Sequence, residues 1–150
     1  SSMTESEQLA YAAGFFDGEG HVRIQPHSKR GSYMLSVTAV QATPYPLTMF
    51  VDLFGGTMSK RFIQYRGTKR ALFTWQSSSK QAEDALRRMM PYLVVKKDEA
   101  EVALRFRATF RPQYGERSKN APEVESARQE MMYLLQRMRV EKRAAHVSDE

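Results

Sequence analysis

The sequence contains no cysteine, and none of its apolar runs approaches the roughly 20 residues that a membrane-spanning helix needs. The absence of cysteine excludes a disulfide scaffold, a cysteine-ligated zinc site and a thiol nucleophile. Its first residues lack the basic segment and apolar segment of a secretory signal. We therefore expect an intracellular protein with no membrane partner, and its compartment, bacterial or phage cytoplasm or an organelle, stays open.

Acidic residues are almost missing from residues 21–76, where Asp52 is the only one. Eight basic residues lie in the same stretch, whereas residues 1–20 hold four acidic residues and no Lys or Arg. The net charge of +6 is therefore concentrated in the middle of the chain. A basic module of this kind favours a polyanionic partner.

The length of 150 residues and the 41% apolar content predict a single globular domain, with a core over about residues 5–110. A capping box at Thr4 and Glu7 opens the first helix, and alternating residues predict two hairpins. The predicted strands are 21–27, 33–41, 57–66 and 69–76, and later helices begin at Pro44, after Ser78, at Val94 and at Glu123. The C-terminal helix is expected over about 122–146. The fold class is therefore α+β, with a four-stranded antiparallel sheet in the order αββαββα, followed by extra helices.

One face of that sheet must be covered by helices, and we expect the other face to bind DNA. Arg, Gln, His, Ser and Thr can recognise base edges and phosphates. An ordinary solvated face is the alternative, but such faces normally mix charges of both signs. The facing of strand 57–66 cannot be assigned from its pattern. The candidate DNA-binding residues are His21, Arg23, Gln25, His27, Lys29, Arg30, Ser36, Thr38, Lys60, Arg61, Arg66, Lys69, Arg70, Thr74 and Gln76.

The first helix ends in the segment AAGFFDGEG, residues 12–20, which combines small residues with two carboxylates. Negative charge is unfavourable at a helix C-terminus, so Asp17 and Glu19 require a reason. A bound divalent cation is one reason, because carboxylate and carbonyl oxygens suit hard metals. A turn with solvated acids is the other. Glycines 18 and 20 also permit an unusual backbone path.

This segment resembles the LAGLIDADG motif of homing endonucleases, with Ala13, Gly14, Asp17 and Gly20 identical and Glu19 in place of its second Asp. Further similarity comes from Phe54-Gly55-Gly56, Trp75-Gln76-Ser77 and the segment from Pro91 to Lys97, so the resemblance covers roughly residues 7–110. It implies the αββαββα fold of a double-strand DNA endonuclease. A chain with one motif would act as a homodimer on a pseudo-palindromic site.

The resemblance also implies roles for individual residues. Glu19 would bind Mg²⁺, with Mn²⁺ or Ca²⁺ able to occupy the same site, and the Gly18 carbonyl would be a second ligand. Asp17 would rather support the helix end. Gln41 and Lys96 would join Glu19 as catalytic residues. The dimer interface would be formed by Ala12, Ala13, Gly14 and Phe16.

The leading hypothesis is a Mg²⁺-dependent, sequence-specific endonuclease involved in intron homing. One alternative is a nucleic-acid-binding module without cleavage, either an intron maturase or a transcription regulator on the same fold. A basic scaffold protein in which the motif is a coincidence is the second. His21 could act as a general base, although a polar strand histidine more often contacts DNA.

Overall fold

The computed structural model describes residues 2–27, 32–110 and 121–148. Four strands form one antiparallel sheet in the spatial order β1-β2-β4-β3, and helices cover one of its faces. The predicted α+β class and the four-stranded antiparallel sheet are therefore confirmed. The elements are α1 (Glu5–Glu19), β1 (Gly20–His27), β2 (Ser32–Gln41), α2 (Leu47–Phe54), β3 (Thr57–Tyr65), β4 (Thr68–Ser78), α3 (Ser79–Met89), a 3-10 turn (Met90–Tyr92), α4 (Lys97–Ala108) and α5 (Pro122–Ser148).

Helix α1 begins with the predicted capping box. The Glu7 amide donates to Thr4 Oγ1 at 3.2 Å, and the Thr4 amide donates to Glu7 Oε1 at 2.8 Å. At the other end, Gly20 has ordinary extended geometry, with φ −89° and ψ 161°, so the expected unusual backbone path is wrong here. Glycine is needed for a different reason, because a Cβ at Gly20 would lie 2.3 Å from the Phe16 ring.

Two helices begin later than predicted. Helix α2 begins at Leu47 rather than Pro44, because Pro46 disfavours a helical backbone at Tyr45 and the Thr43 hydroxyl donates to the Tyr45 carbonyl. Helix α4 begins at Lys97 rather than Val94.

The core lies between the sheet and the helices. Trp75 is fully buried at its centre, where its ring packs edge-on against Phe50 at 5.0 Å and its indole N–H donates to the Gly55 carbonyl at 2.8 Å. Gly56 allows this approach, because it has φ +85° and a Cβ would lie 2.5 Å from the Gln76 carbonyl oxygen. Helix α5 adds Leu135 to the same core.

Two predicted loops fall largely outside the described residues, namely the turn over 28–32 and the loop over 113–122.

In the part of the chain that is described, no helix is long and apolar enough to cross a membrane.

Candidate DNA-binding face and catalytic centre

The face of the sheet that the helices leave uncovered, called the open face below, carries most of the predicted DNA-binding residues. Strand alternation buries Val22 and Val37 beneath the helices and directs their neighbours in sequence outward. The register of the four strands places these predicted residues on the open face: His21, Arg23, Gln25, His27, Ser36, Thr38, Arg61, Arg70, Thr74 and Gln76. Strands β1 to β4 contain no acidic residue.

The second hairpin divides its cations between the two faces. In the register of β3 and β4, Lys60 pairs with Phe73, and Phe73 lies on the helix side with Trp75. The ammonium groups of Lys60 and Lys69 lie 5.1 and 4.4 Å from the centre of the Phe62 ring, so all three residues share that side. The expectation that these two lysines lie on the open face is wrong, and the facing of β3 is now assigned.

The tip of this hairpin carries an aromatic group that the sequence reasoning missed. Tyr65 lies on the open face, with the Arg66 guanidinium 5.3 Å and the Arg70 guanidinium 4.9 Å from its ring centre. Tyr65 is 45% exposed, so this stack of two cations on one ring is accessible. Tyr65 is two residues from Ile63 and four from Arg61, so the three share one face of β3. The sequence could have indicated this contact only if it had shown which face of β3 these residues occupy.

Ser36 contributes less to the accessible face than the other predicted residues, because it is only 4% exposed and lies between Arg23 and Ser78 in the sheet. Lys29 and Arg30 lie outside the described residues.

Asp17 joins the end of α1 to the start of α4. Its two carboxylate oxygens accept hydrogen bonds from the amides of Val94 and Lys96, both at 2.9 Å. These two hydrogen bonds fix the segment that precedes α4, and the helix begins at Lys97. The interpretation of Asp17 as a supporting residue agrees with this geometry, because both of its oxygens are engaged by the protein.

Lys96 is held at the same junction. Its ammonium group donates to the Asp17 carbonyl at 2.6 Å, so a cation faces the negative end of the α1 dipole. Burial lowers the pKa of Lys96, although Glu99, Asp17 and Glu19 raise it in part. Lys96 therefore lies within electrostatic range of Glu19, while Lys97, the rival candidate, is exposed.

Glu19 and Gln41 differ in how far the protein fixes them. Glu19 is exposed and makes no hydrogen bond or ion pair within the described residues. The Gln41 side-chain oxygen accepts from the Ala42 amide at 2.7 Å, which leaves its amide nitrogen as a donor. Glu19 acts on Lys96 only through its charge, and no hydrogen bond or ion pair joins Glu19, Lys96 and Gln41 to one another in the described region.

His21 lies among cations at the start of β1. Its pKa is lowered by burial, then by the charges of Arg23, Lys96 and Arg139, and only Glu99 opposes this. A neutral imidazole at neutral pH follows, which suits a hydrogen-bond contact on the open face.

A single copy of the chain provides few ligands for a metal ion. No group of three His, Asp or Glu side chains with metal-binding spacing occurs among residues that the structure describes. Asp17 is engaged, so Glu19 and the carbonyl of Gly18 in the last turn of α1 are the available oxygens. One carboxylate and one carbonyl are fewer ligands than a divalent cation takes in proteins.

The predicted dimer interface requires a correction. Ala12, Ala13 and Phe16 are fully buried inside the protomer, because they face the sheet and the other helices, and they have no surface left for a partner. Gly14 is exposed, and a Cβ built on either Gly14 or Gly18 would meet no atom within 4 Å. The exposed side of α1 includes Gly14, Gly18, Ala10 and the half-exposed Tyr11.

Comparison with solved structures identifies the fold. The homing endonuclease I-CvuI, solved in complex with its target, is 19% identical, with a TM-score of 0.68 over 87% of this chain and 81% of that one. The LAGLIDADG homing endonuclease I-GzeII, in complex with a DNA target, is 13% identical, with a TM-score of 0.59 over 85% of this chain and 43% of that one. The archaeal intron-encoded homing endonuclease I-Vdi141I, complexed with DNA, is 12% identical, with a TM-score of 0.53 over 91% and 99%.

The sequence comparisons are negative, since no protein-family model and no curated protein matches this chain. The chain is an α+β domain in which helices cover one face of the sheet and leave the other face uncovered. Within that class, the chain has the fold of the LAGLIDADG homing endonucleases. The recognition of that fold from the segment at residues 12–20 is confirmed.

Proposed function

We propose that the chain is a sequence-specific double-strand DNA endonuclease that acts as a homodimer with a divalent metal, Mg²⁺ in the first instance. The observation that carries this proposal is the open face, which is basic and polar, contains no acidic residue and borders Glu19 and Lys96. The fold is shared with homing endonucleases that were solved bound to DNA, including I-CvuI.

The open face supplies groups suited to both parts of DNA recognition. Arginines such as Arg23 and Arg70 can pair with guanine edges or phosphates, and Gln25 and Gln76 can pair with adenine. Because these side chains alternate along four neighbouring strands, they form a two-dimensional array, which suits a major groove. Neutral His21 would add a hydrogen bond without adding charge.

The catalytic centre would combine Glu19, Lys96 and Gln41. Glu19 and the Gly18 carbonyl would hold the metal, which when bound neutralises phosphate charge and promotes ionisation of water. The Lys96 ammonium, fixed on the Asp17 carbonyl, would place positive charge where the transition state becomes more negative. The free amide of Gln41 would orient water by donating a hydrogen bond.

Two features of α1 support a homodimer formed through this helix. Each chain has one unengaged carboxylate at the site, so two copies are needed for a complete donor set. Glycine costs about 1 kcal/mol relative to alanine inside a helix, and nothing in the protomer requires Gly14 or Gly18. Close approach of the backbone of a second copy would explain the glycine at both positions. A two-fold dimer implies a pseudo-palindromic target.

The experiment selects cleaved molecules from a library of DNA duplexes. In each duplex one half-site has a random sequence, and the other half-site is its inverted repeat. The wild-type chain with Mg²⁺ should cut a subset of sequences in both strands. Glu19→Gln should still bind the selected duplexes but should not cut them, while Glu101→Gln, a change at an exposed position on α4, should cut normally.

The competing interpretation is a binding module without nuclease activity. Selective binding by the wild-type chain with no cleavage under Mg²⁺ or Mn²⁺ would support that module and reject the endonuclease. Normal cleavage by Glu19→Gln would instead remove Glu19 from the proposed mechanism.

A further inference from the structure

Helix α5 is fixed beside the proposed catalytic centre by one lysine. The Lys142 ammonium donates to the Val95 carbonyl at 2.8 Å, to Asp98 Oδ1 at 2.7 Å and to Glu99 Oε2 at 2.9 Å. These acceptors surround Lys96, so the C-terminal half of α5 is held against the first turn of α4.

Arg139 lies one turn before Lys142 and therefore on the same side of α5. Its Nε atom is buried and has no hydrogen-bond partner in the described residues. Leaving a charged N–H group buried without an acceptor is unfavourable. The charges acting on Arg139 come from Arg23 of β1, Glu99 of α4 and Arg143 of its own helix.

The surroundings of Arg139 are predominantly positive. Helices α4 and α5 both pack on β1 and on each other. The charges of Arg139, Arg23 and Lys96 all lower the pKa of His21 at this junction. Glu99 is the acid in range of Arg139, and its Oε2 already accepts from Lys142. The Arg139 side chain as a whole is partly exposed, and an anion at its outer guanidinium nitrogens would offset the positive charge around it.

We propose that Arg139 binds a backbone phosphate of DNA at the start of β1, next to Glu19 and Lys96. A guanidinium group has the planar donor geometry that matches phosphate oxygens. This inference rests on the proposed function.

The test measures binding of a random-sequence DNA duplex at increasing KCl concentrations, for wild type and three variants. Arg139→Gln should bind more weakly, and the slope of log K against log salt should decrease by about one. Arg23→Gln, on the open face, is the positive comparison. Arg137→Gln is the matched control, because it removes the same charge from an exposed position of α5 on another side of the helix, and it should bind like wild type.

A purely structural role for Arg139 predicts a different result, namely a lower Tm with an unchanged salt slope. We expect the Tm of Arg139→Gln to be no lower than that of wild type, since the change removes an unpartnered N–H. An unchanged slope for Arg139→Gln beside a reduced slope for Arg23→Gln would reject the Arg139 contact and leave the open face as the DNA-binding surface. Equal losses in Arg137→Gln and Arg139→Gln would also reject it, and wild type that binds no duplex would reject the proposed function as well.

Discussion

Asp17 and Glu19 are two residues apart and carry the same charge, yet their surroundings differ completely. Asp17 has both oxygens occupied by backbone amides from a segment 77 to 79 residues away, whereas Glu19 is exposed and unengaged. The stabilising role therefore falls to Asp17. The role proposed for Glu19 depends on groups outside the protomer.

Asp17→Asn should reduce the free energy of unfolding by about 1–3 kcal/mol, because the neutral amide can accept at one oxygen only and leaves a backbone N–H without its partner. Urea denaturation measures the change. Asp84→Asn is the matched control, since Asp84 forms only an exposed ion pair with Lys80 at 3.8 Å and should change little. Equal stabilities for the two variants would contradict the structural role of Asp17.

At this scale the sequence predicted residue types better than exposures. The segment at 12–20 identified Asp17 and Glu19, but it did not show that Ala12, Ala13 and Phe16 face inward. Which side of a helix is buried depends on distant elements, in this case the sheet and helices that follow. Tyr65 was not predicted as a binding residue because the sequence does not show which face of the sheet its side chain occupies.

Hairpin β3–β4 shows how the register of a strand determines charge placement. Arg61 and Arg70 lie on the open face, and Lys60 and Lys69 lie on the helix side around Phe62. The composition of the hairpin could be read from the sequence. The division between faces could not, because Met58, Phe62 and Ile63 do not keep one parity.

The hairpin allows a paired comparison at neighbouring positions. The double variant Arg61→Gln/Arg70→Gln should weaken duplex binding and lower the salt slope by up to about two, one for each phosphate that is no longer neutralised. The double variant Lys60→Gln/Lys69→Gln removes the same charge from the same strands and should have a smaller effect. Fluorescence anisotropy over a KCl series measures the affinity and the salt slope of each variant. Equal effects of the two double variants would show that binding depends on the total charge of the hairpin and not on the face that carries it.

Helices α3 and α4 are joined through Glu83, which accepts from Arg87 at 2.8 Å and from Arg107 at 3.0 Å. Burial raises the pKa of Glu83, but these hydrogen bonds outweigh burial and hold it below the ordinary value of 4.5. A lowered folded-state pKa gives stability that is present above pH 4.5 and is lost as the pH falls through the lowered value.

Glu83→Gln should therefore be less stable than wild type at neutral pH, and the difference should shrink as the pH falls below about 4.5. Thermal unfolding across a pH series measures this dependence. Glu101→Gln, at an exposed position of α4, should have a stability close to that of wild type at every pH. A stability difference that stays constant with pH would contradict the ionic origin of the contact.

For the whole molecule, the sequence predicted the element order and the four strands because capping, alternation and turn residues are local signals. It misplaced the starts of α2 and α4 by about one turn, since these starts depend on a proline-rich turn and on the distant carboxylate of Asp17. The contribution of α5 to the positive charge around His21 was not predictable, because helix periodicity does not show which strand a helix will contact.

The proposed assembly can be tested with a substitution that the protomer tolerates. A Cβ at Gly14 meets no atom within 4 Å and the position is exposed, so Gly14→Leu, which also replaces glycine in a helix, should not lower the stability of the protomer. Sedimentation should nevertheless show a weaker dimer and the cleavage assay a lower rate. Gln136→Leu, which adds the same side chain at an exposed site on α5, should do neither. A wild-type chain that is monomeric while it cuts would contradict the dimer.

The alternation of β3 also constrains how this surface can change over time. Inserting or deleting one residue before Lys60 within the strand would exchange the facing of the residues that follow, moving Lys60 onto the open face and Arg61 towards the helices if the rest of the sheet kept its register. Such a change alters several positions of the array at once. New binding preferences are therefore accessible through single substitutions on the open face, whereas length variation is confined to the turns between strands.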